Sequence, residues 1–343
     1  MDFWAPLSNL ISKVKRVSKV FDRKPSGSVS EKDPLELAGI VREMAETGIG
    51  TDACLERGCL PMRVHYYSPV PDIADLEQRR VWDSRSDLTG LDFRPEEQVA
   101  FLTRLGQEFG NECKWPRTPT SDPLQFYTDN NSFSFGCAAS LHCILRYFKP
   151  KQVIEVGSGN SSLVISSALG LKGGDHSQPN CEYTIVDPYP GDIITEGLPG
   201  VSRLIKERVE LLDIKFFDQL RENDVLFIDS SHTVRTGGDV NYLILDVLPR
   251  LAPGVIVHFH DISLPYEYSQ VYFTNPSFRV FWTEAYLLQA FLSLNSQYEI
   301  LLAMNYLMSD CLDEFCSAFR HFESAKNWAN SGSFWIRRVR KGD

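Results

Sequence analysis

Two short polar clusters in the second half of the chain carry side chains suited to acid–base or metal chemistry. The first is Phe227-Ile228-Asp229-Ser230-Ser231-His232, and the second is Val257-His258-Phe259-His260-Asp261. Imidazole is well suited to general-base work near neutral pH, and histidine together with aspartate can also bind a divalent metal ion. The residue types leave both kinds of chemistry open. A third interpretation is that one or two of the histidines only form hydrogen bonds to neighbouring loops.

Each cluster follows a short apolar run that is typical of a strand buried on both faces. Four such runs are found, at 153–156, 183–186, 225–228 and 255–259. Helical segments predicted at 162–169, 216–221 and 240–251 separate them, and this alternation predicts a parallel sheet with crossover helices. Ligands bind beyond the carboxyl ends of the strands in sheets of this kind. The candidate catalytic residues are therefore expected in one cleft: Asp229, His232, His260 and Asp261.

A glycine-rich turn follows the first apolar run, in the sequence Glu155-Val156-Gly157-Ser158-Gly159-Asn160-Ser161-Ser162. Glycines at a strand-to-helix turn allow a tight backbone and a close approach of a ligand, and the next helix offers unpaired N–H groups. The dinucleotide pattern G-x-G-x-x-G would have glycine at position 162. Ser162 stands there instead, which disfavours a nicotinamide-dependent oxidoreductase, as does the absence of a suitably placed Tyr-x-x-x-Lys pair.

Asp187 ends the second apolar run, and a carboxylate at this place can accept hydrogen bonds from both hydroxyl groups of a ribose. Its separation from Gly159 exceeds the ~20 residues usual in a dinucleotide site, and residues 173–180 look like an inserted polar loop. The alternative is a surface aspartate in the turn before Pro188.

Together these motifs resemble class I methyltransferases that depend on S-adenosylmethionine, and in particular the methyltransferase-24-like type. Further similar stretches lie at 131–134, 149–151, 248–254 and 282–287. The resemblance implies an α/β, Rossmann-like fold with helices on both faces of a mostly parallel sheet. It also implies that the run at 333–336 forms an antiparallel last strand.

The resemblance implies a cofactor site as well. S-adenosylmethionine would be held by Glu155, Gly157, Ser158, Gly159, Asp187 and Asp229. An acidic residue is common in the family where this chain has Cys137. The acceptor implied is a hydroxyl group of a sugar, a glycan or another small molecule. A nucleic acid is not expected as a partner.

The predicted base for this reaction is His260 or His232, oriented by Asp229 or Asp261. Related O-methyltransferases hold Mg²⁺ with acids at the ends of the fourth and fifth strands. Asp229 and Asp261 match those places and are candidate magnesium ligands, while His260 stands where a second acid often lies.

Composition limits the classes of function. The chain has 343 residues, of which 43% are apolar and 23% charged, as in soluble globular proteins. A net charge of −10 argues against nucleic-acid binding as the main function. No apolar run approaches the ~20 residues that span a bilayer, and no signal peptide is recognised. Eight cysteines without a C-x-x-C pair indicate reduced thiols, so a cytoplasmic location is predicted.

Three regions are predicted along the chain. Residues 1–34 form an amphipathic helix and a linker, 35–120 a helical or irregular cap, and 121–343 the methyltransferase domain. The helix within 1–24 has one apolar and one basic face, so it packs on the protein itself or lies on an anionic membrane surface. The second arrangement gives an alternative function: a non-catalytic S-adenosylmethionine-binding or scaffold protein recruited through its N-terminus.

Overall fold

The computed structural model describes residues 33–130, 132–170, 181–276, 279–322 and 331–339. The amphipathic helix predicted within residues 1–24 lies outside these ranges. The longest helix in the described ranges has 15 residues, fewer than the roughly 20 that cross a bilayer. Within these ranges, no helix therefore qualifies as a membrane span.

Helices and strands alternate along most of the described chain. The helices are α1 (Pro34–Thr47), α2 (Thr51–Leu55), α3 (Ile73–Gln78), α4 (Pro95–Phe109), α5 (Phe135–Phe148), α6 (Asn160–Ala168), α7 (Asp192–Thr195), α8 (Asp239–Asn241), α9 (Val271–Thr274), α10 (Glu284–Leu292), α11 (Met304–Asp310) and α12 (Leu312–Ala318). The strands are β1 (Gln152–Val156), β2 (Glu182–Val186), β3 (Val201–Ile205), β4 (Val225–Ile228), β5 (Ile256–Phe259), β6 (Tyr298–Ala303) and β7 (Phe334–Arg338). Short 3-10 turns lie at Val81–Asp83, Gly110–Glu112, Val209–Leu211, Ile214–Gln219 and Leu248–Arg250.

The described residues divide into two compact units. The larger unit comprises 83–269 and 282–339 and contains the whole sheet, and the smaller comprises 33–82 and 270–281. In the smaller unit, α1 begins at Pro34 behind the N-cap Asp33 and ends at Gly48 in the left-handed conformation. Proline in the first turn and glycine after the last are common helix boundaries.

The seven strands form one sheet in the order β3-β2-β1-β4-β5-β7-β6. Strands β1 to β5 pair in parallel, whereas β7 runs antiparallel to both β5 and β6. This confirms the predicted Rossmann-like class I methyltransferase fold, including the antiparallel last strand around 333–336.

The core lies on the central strands because their side chains are apolar on both faces. Every residue of β4 and β5 is buried, and Val153, Phe227 and Trp335 belong to one hydrophobic cluster with α5. Helix α5 is buried throughout Phe135–Leu145, as expected for a helix that is hydrophobic nearly all round. It begins at the N-cap Ser134, whose hydroxyl accepts a hydrogen bond from the N–H of Cys137.

The structure differs from the predicted elements at two helices and two strands. The helix predicted over 216–221 is a 3-10 turn, and the one over 240–251 is α8 followed by a π-helical turn (Tyr242–Val247) and a 3-10 turn. Pro249 has no N–H to donate, so regular helical hydrogen bonding cannot continue through it. The edge strands β3 and β6 were not predicted. In β3 no residue is fully buried, so the strand lacks the apolar run that marks its neighbours.

Candidate active site

Four predicted site residues lie in one row across neighbouring strands. Each is the first residue after the end of its own strand. In the order β2, β1, β4 and β5 they are Asp187, Gly157, Asp229 and His260. The N–H of each donates to the carbonyl at the end of an adjacent strand, at 2.9–3.0 Å. The sheet thus brings the cofactor residues and the catalytic residues to the same edge, as the sequence predicts.

Gly157 lies where no other residue fits without a shift of the backbone. Its φ is +91°, and a Cβ at this position would lie 2.1 Å from the carbonyl oxygen of Asp229. The glycine-rich loop therefore packs directly on the backbone of Asp229, the first residue after β4. Any ligand on the loop lies next to the histidine–aspartate cluster.

The carboxylate of Asp187 is oriented by the glycine-rich loop and by its own turn. The hydroxyl of Ser158 donates to Oδ2 at 2.6 Å, and the N–H of Tyr189 donates to Oδ1 at 2.7 Å. Each oxygen has two lone pairs, so both can accept a further hydrogen bond from a ligand hydroxyl.

Glu155 is completely buried beneath the same loop. Its Oε1 accepts from Ser161 at 2.6 Å, and its Oε2 accepts from Ser162 at 2.8 Å and from the hydroxyl of Tyr183. The Ser162 hydroxyl also accepts from the N–H of Gly159 at 3.1 Å. Ser162, which departs from the dinucleotide pattern, therefore ties the turn to Glu155. Burial raises the pKa of Glu155 to about 7, although the hydroxyl donors act in the opposite direction.

The raised pKa of Glu155 predicts a pH-dependent stability. Between its ordinary value of 4.5 and about 7 the folded state binds more protons than the unfolded state. Stability from this group is complete below pH 4.5 and falls as pH rises through 7, by about 3 kcal/mol in all. The Glu155→Gln variant lacks this loss, so its free energy of unfolding relative to wild type should increase from pH 5 to pH 8. Urea denaturation at both pH values measures it.

A matched control for this prediction is Glu182→Gln, which removes an exposed carboxylate from β2. The control should follow wild type at both pH values. Equal pH dependence of wild type and Glu155→Gln would show that Glu155 does not ionise in this range.

The predicted catalytic side chains form a closed ring of alternating nitrogen and oxygen atoms. The Nε2 atom of His232 lies 3.3 Å from Oδ1 of Asp229 and 3.6 Å from Oδ2 of Asp261. The Nδ1 atom of His260 lies 3.6 Å and 3.3 Å from the same two oxygens. All four predicted catalytic residues are therefore brought together, and each imidazole faces both carboxylates.

Glu284 is a site residue to which sequence reasoning assigned no role. Its fully buried carboxylate accepts a hydrogen bond from Nδ1 of His232 at 2.8 Å. In return, the backbone carbonyl of His232 accepts from the N–H groups of Thr283 and Glu284, at 2.9 and 3.1 Å. The available signal is the similarity at 282–287, which could have suggested a functional acid at the start of a helix.

The charged partners of His232 control its protonation. Burial lowers the pKa of an imidazole, but hydrogen bonds to Asp229 and Glu284 outweigh it and raise the pKa of His232 to about 10. Without a further positive charge in the site, His232 is therefore an imidazolium at neutral pH.

The backbone is strained at two of these residues. His232 and Asp261 have φ values of +58° and +56°, in the left-handed region. Such conformations cost about 1–3 kcal/mol each and are commonly found at functional sites. The surrounding hydrogen bonds, such as the one from the N–H of Ile262 to the carbonyl of Gly332 (2.9 Å), hold the chain in place.

The second nitrogen of His260 faces a thiol. Its Nε2 atom lies 3.4 Å from Sγ of Cys137, and Sγ also lies 2.9 Å from Oγ of Ser331. Burial opposes a thiolate, yet the neighbouring His260 and hydroxyl groups lower the pKa of Cys137 to about 7. Burial likewise opposes the charged form of His260, but Asp261 and Asp229 raise its pKa well above the usual value.

His258 is a structural histidine. Its ring stacks on Phe227 at 4.0 Å between centroids, and its Nε2 lies 2.9 Å from Oγ of Ser333. Burial lowers its pKa well below the usual value, so it remains neutral. The interpretation that some histidines only support neighbouring segments holds for this residue.

Comparisons with known proteins identify a methyltransferase family. Residues 154–262 match the methyltransferase-24 family, described as a methyltransferase domain. An uncharacterized protein of Archaeoglobus fulgidus is 29% identical over 182 residues, which cover 50% of this chain and 80% of that protein. A similar solved structure is that of the O-methyltransferase TomG from Streptomyces achromogenes in complex with SAM, an enzyme involved in tomaymycin synthesis. TomG is 13% identical to this chain. The alignment covers 71% of this chain and 89% of TomG, with a TM-score of 0.36.

The family match confirms the predicted class. Residues 154–262 contain every predicted site residue, from Glu155 to Asp261. Residues 154–262 therefore match a methyltransferase domain of the methyltransferase-24 type. Glu284 lies beyond the matched residues.

Proposed function

We propose that this methyltransferase domain binds S-adenosylmethionine and transfers its methyl group to the oxygen of a small-molecule hydroxyl, with His232 as general base. The observation that carries the proposal is the single row of Asp187, Gly157, Asp229 and His260 across four strands. This row places a loop that suits the nucleoside and amino-acid parts of S-adenosylmethionine next to a set of acid–base side chains.

Three features support S-adenosylmethionine as the methyl donor. Asp187 has two oriented oxygens that can accept the ribose hydroxyls. Gly157 lets the glycine-rich loop pack on the backbone of Asp229, so a ligand on this loop lies beside the acid–base side chains. Ser162 is hydrogen-bonded to Glu155 at the position where a dinucleotide site has glycine, which supports this donor over a nicotinamide.

The transfer is a direct displacement. The bond from the methyl carbon to the sulfonium sulfur breaks with its electron pair left on sulfur, while a bond forms from the acceptor oxygen to the same carbon. The hydroxyl proton passes to Nε2 of His232, and the products are a methyl ether and S-adenosylhomocysteine. The methyl group is already activated in the donor, so the protein mainly aligns the two substrates and accepts the proton.

His232 is favoured over His260 as the base by its hydrogen bonds. The Nδ1–H of His232 is held by Glu284 at 2.8 Å, which leaves Nε2 as the proton acceptor. The Nε2 atom of His260 faces Cys137, and its ring is almost fully buried. The Nδ1 atom of His260 faces Asp229 and Asp261 at 3.6 and 3.3 Å, where it fits the role of a cation ligand rather than that of the base.

His232 must be neutral before it can accept a proton. The nearby carboxylates hold a proton on it, but the positive sulfonium of S-adenosylmethionine lowers its pKa by electrostatic repulsion. A divalent cation bound among the carboxylates acts in the same direction.

Asp229, His260 and Asp261 fit a divalent cation, such as the Mg²⁺ of related enzymes. One ligand atom from each lies within 4.8 Å of the others, and the buried Nδ1 of His260 has no hydrogen-bond partner. When bound, such an ion would act as a Lewis acid that lowers the pKa of an acceptor hydroxyl. Asp229 and Asp261 would then supply the oxygen ligands and leave proton removal to His232.

The proposed acceptor is a sugar or glycan hydroxyl, on the resemblance to the family. Purified protein with S-adenosylmethionine should release S-adenosylhomocysteine when a suitable sugar or small phenol is added from a panel. Mass spectrometry should show a product heavier by one methyl group in place of one hydrogen. Tight S-adenosylmethionine binding without turnover on any acceptor would favour the non-catalytic alternative.

The Asp187→Ala variant should bind S-adenosylmethionine more weakly. Hydrogen bonds to a charged acceptor contribute about 1.5–3 kcal/mol, so the dissociation constant should rise roughly 10–150-fold. Calorimetric titration measures the affinity, with Asp192→Ala as the control because Asp192 is an exposed acid five residues further along, at the start of α7. Equal affinity of wild type and Asp187→Ala would exclude Asp187 as the ribose ligand.

A further inference from the structure

We infer that the metal site at Asp229, His260 and Asp261 selects a first-row transition-metal ion such as Mn²⁺, Co²⁺ or Fe²⁺ over Mg²⁺, and that the Nδ1 atom of His260 is a ligand. The inference rests on the proposed function, since the ion would serve the same site. Ion binding is nevertheless measurable without turnover.

The geometry resembles a set of ligands arranged around one cation. Two carboxylate oxygens, of Asp229 and Asp261, lie 3.6 and 3.3 Å from Nδ1 of His260. Nδ1 forms no hydrogen bond with either of them. Ligands about 2.1 Å from one ion are about 3.0–3.4 Å apart at angles between 90° and tetrahedral. The observed separations are close to this range.

Burial makes this arrangement costly unless positive charge, on the two imidazoles or on a bound cation, balances the two carboxylates. The side chain of His260 is 4% exposed and that of Asp229 is 7% exposed, so water solvates neither group well. A buried imidazole nitrogen that has no hydrogen-bond partner and faces two carboxylates is stabilised by a positive charge between them.

Cys137 fixes the orientation of the His260 ring. Its Sγ lies 3.4 Å from Nε2, and Oγ of Ser331 lies 2.9 Å from the same sulfur. A hydrogen bond from Nε2–H to the sulfur leaves the lone pair on Nδ1, directed at the two carboxylates. A partner on the second nitrogen of this kind sets the tautomer of metal-binding histidines.

The donor set then decides between ions. Mg²⁺ prefers oxygen ligands only, whereas imidazole nitrogen suits Mn²⁺, Fe²⁺, Co²⁺ and Zn²⁺ increasingly well. Replacement of one acid by His260 lowers the negative charge of the site and supplies this nitrogen. Both changes disfavour Mg²⁺ relative to the first-row transition-metal ions.

The experiment uses the full-length protein, stripped of metal by chelation and desalting. Mn²⁺ binding is followed by the loss of the aqueous Mn²⁺ signal in electron paramagnetic resonance, and Mg²⁺ is added as competitor. One Mn²⁺ per chain is expected, with Mg²⁺ weaker by at least about tenfold. Pulsed measurements should detect a ¹⁴N nucleus bound to Mn²⁺.

Two variants isolate His260. His260→Asp restores an all-oxygen set, so the preference for Mn²⁺ over Mg²⁺ should fall by at least about tenfold and the ¹⁴N coupling should disappear. His142→Ala removes a buried histidine that pairs with Glu112 outside the site and should leave both readouts unchanged.

Three results would overturn the inference. They are absence of stoichiometric Mn²⁺ binding, a Mn²⁺ to Mg²⁺ ratio that is the same in His260→Asp and wild type, and ¹⁴N coupling that persists in His260→Asp. Absence of Mn²⁺ binding would mean that a proton on His260 neutralises the carboxylates instead. Persistent ¹⁴N coupling would mean that the nitrogen bound to Mn²⁺ belongs to His232. Calorimetry with S-adenosylmethionine on the stripped protein tests the proposed function separately.

Discussion

The His232→Ala variant should lose about 10²–10⁴-fold in kcat while its affinity for S-adenosylmethionine stays near that of wild type. The size follows from the usual contribution of a positioned general base. Nε2 of His232 faces the two carboxylates of the site, whereas Asp187, the proposed ribose ligand, lies two strands away, after β2. Single-turnover formation of S-adenosylhomocysteine and calorimetric titration measure the two quantities.

The pH profile distinguishes a base from a merely structural residue. Deprotonated imidazole accepts the proton, and the pKa of His232 is raised, so kcat/KM of wild type should increase as pH rises above neutrality. His232→Ala should lack this increase. Glu284→Gln should move it to lower pH, because Glu284 raises the pKa of His232. His142→Ala serves as the control, and an unchanged kcat in His232→Ala would remove His232 from the base role.

The Gly157→Ala variant should bind S-adenosylmethionine about 100-fold more weakly or worse. An alanine there has an unfavourable positive φ, and its Cβ would lie 2.1 Å from the carbonyl oxygen of Asp229. Backbone strain and overpacking each cost about 1–3 kcal/mol, and relief of the clash must displace the cofactor loop. Calorimetric titration measures the affinity, and the melting temperature reports any accompanying loss of stability.

Gly39→Ala is the matched control, because a Cβ at Gly39 on α1 meets no atom within 4 Å. It should bind the cofactor like wild type. Wild-type affinity of Gly157→Ala would contradict a cofactor site on this loop.

The central strands and the row of site residues are predictable from the sequence because burial on both faces requires apolar runs. Where such a run ends in a polar residue, as at Asp187 and Asp229, the strand ends and the side chain enters the cleft. Parallel pairing then places these residues together whatever their distance along the chain. The position of His260 follows from the same argument, since His260 comes directly after β5.

Other parts of the site depend on three-dimensional contacts that leave no local pattern. Glu284 lies 52 residues after His232 and has the appearance of an ordinary acid in the first turn of a helix. Cys137 contacts His260 across 123 residues. The edge strand β3 is half exposed, so its alternation of polar and apolar residues is too weak to be distinguished from a loop.

The most direct test of the central claim is calorimetric titration of the purified protein with S-adenosylmethionine, with NAD as the control ligand. Micromolar, one-to-one binding of S-adenosylmethionine and no binding of NAD is the predicted result. Binding of NAD with no response to S-adenosylmethionine would contradict the assignment of Gly157, Gly159 and Asp187 to a methyl-donor site.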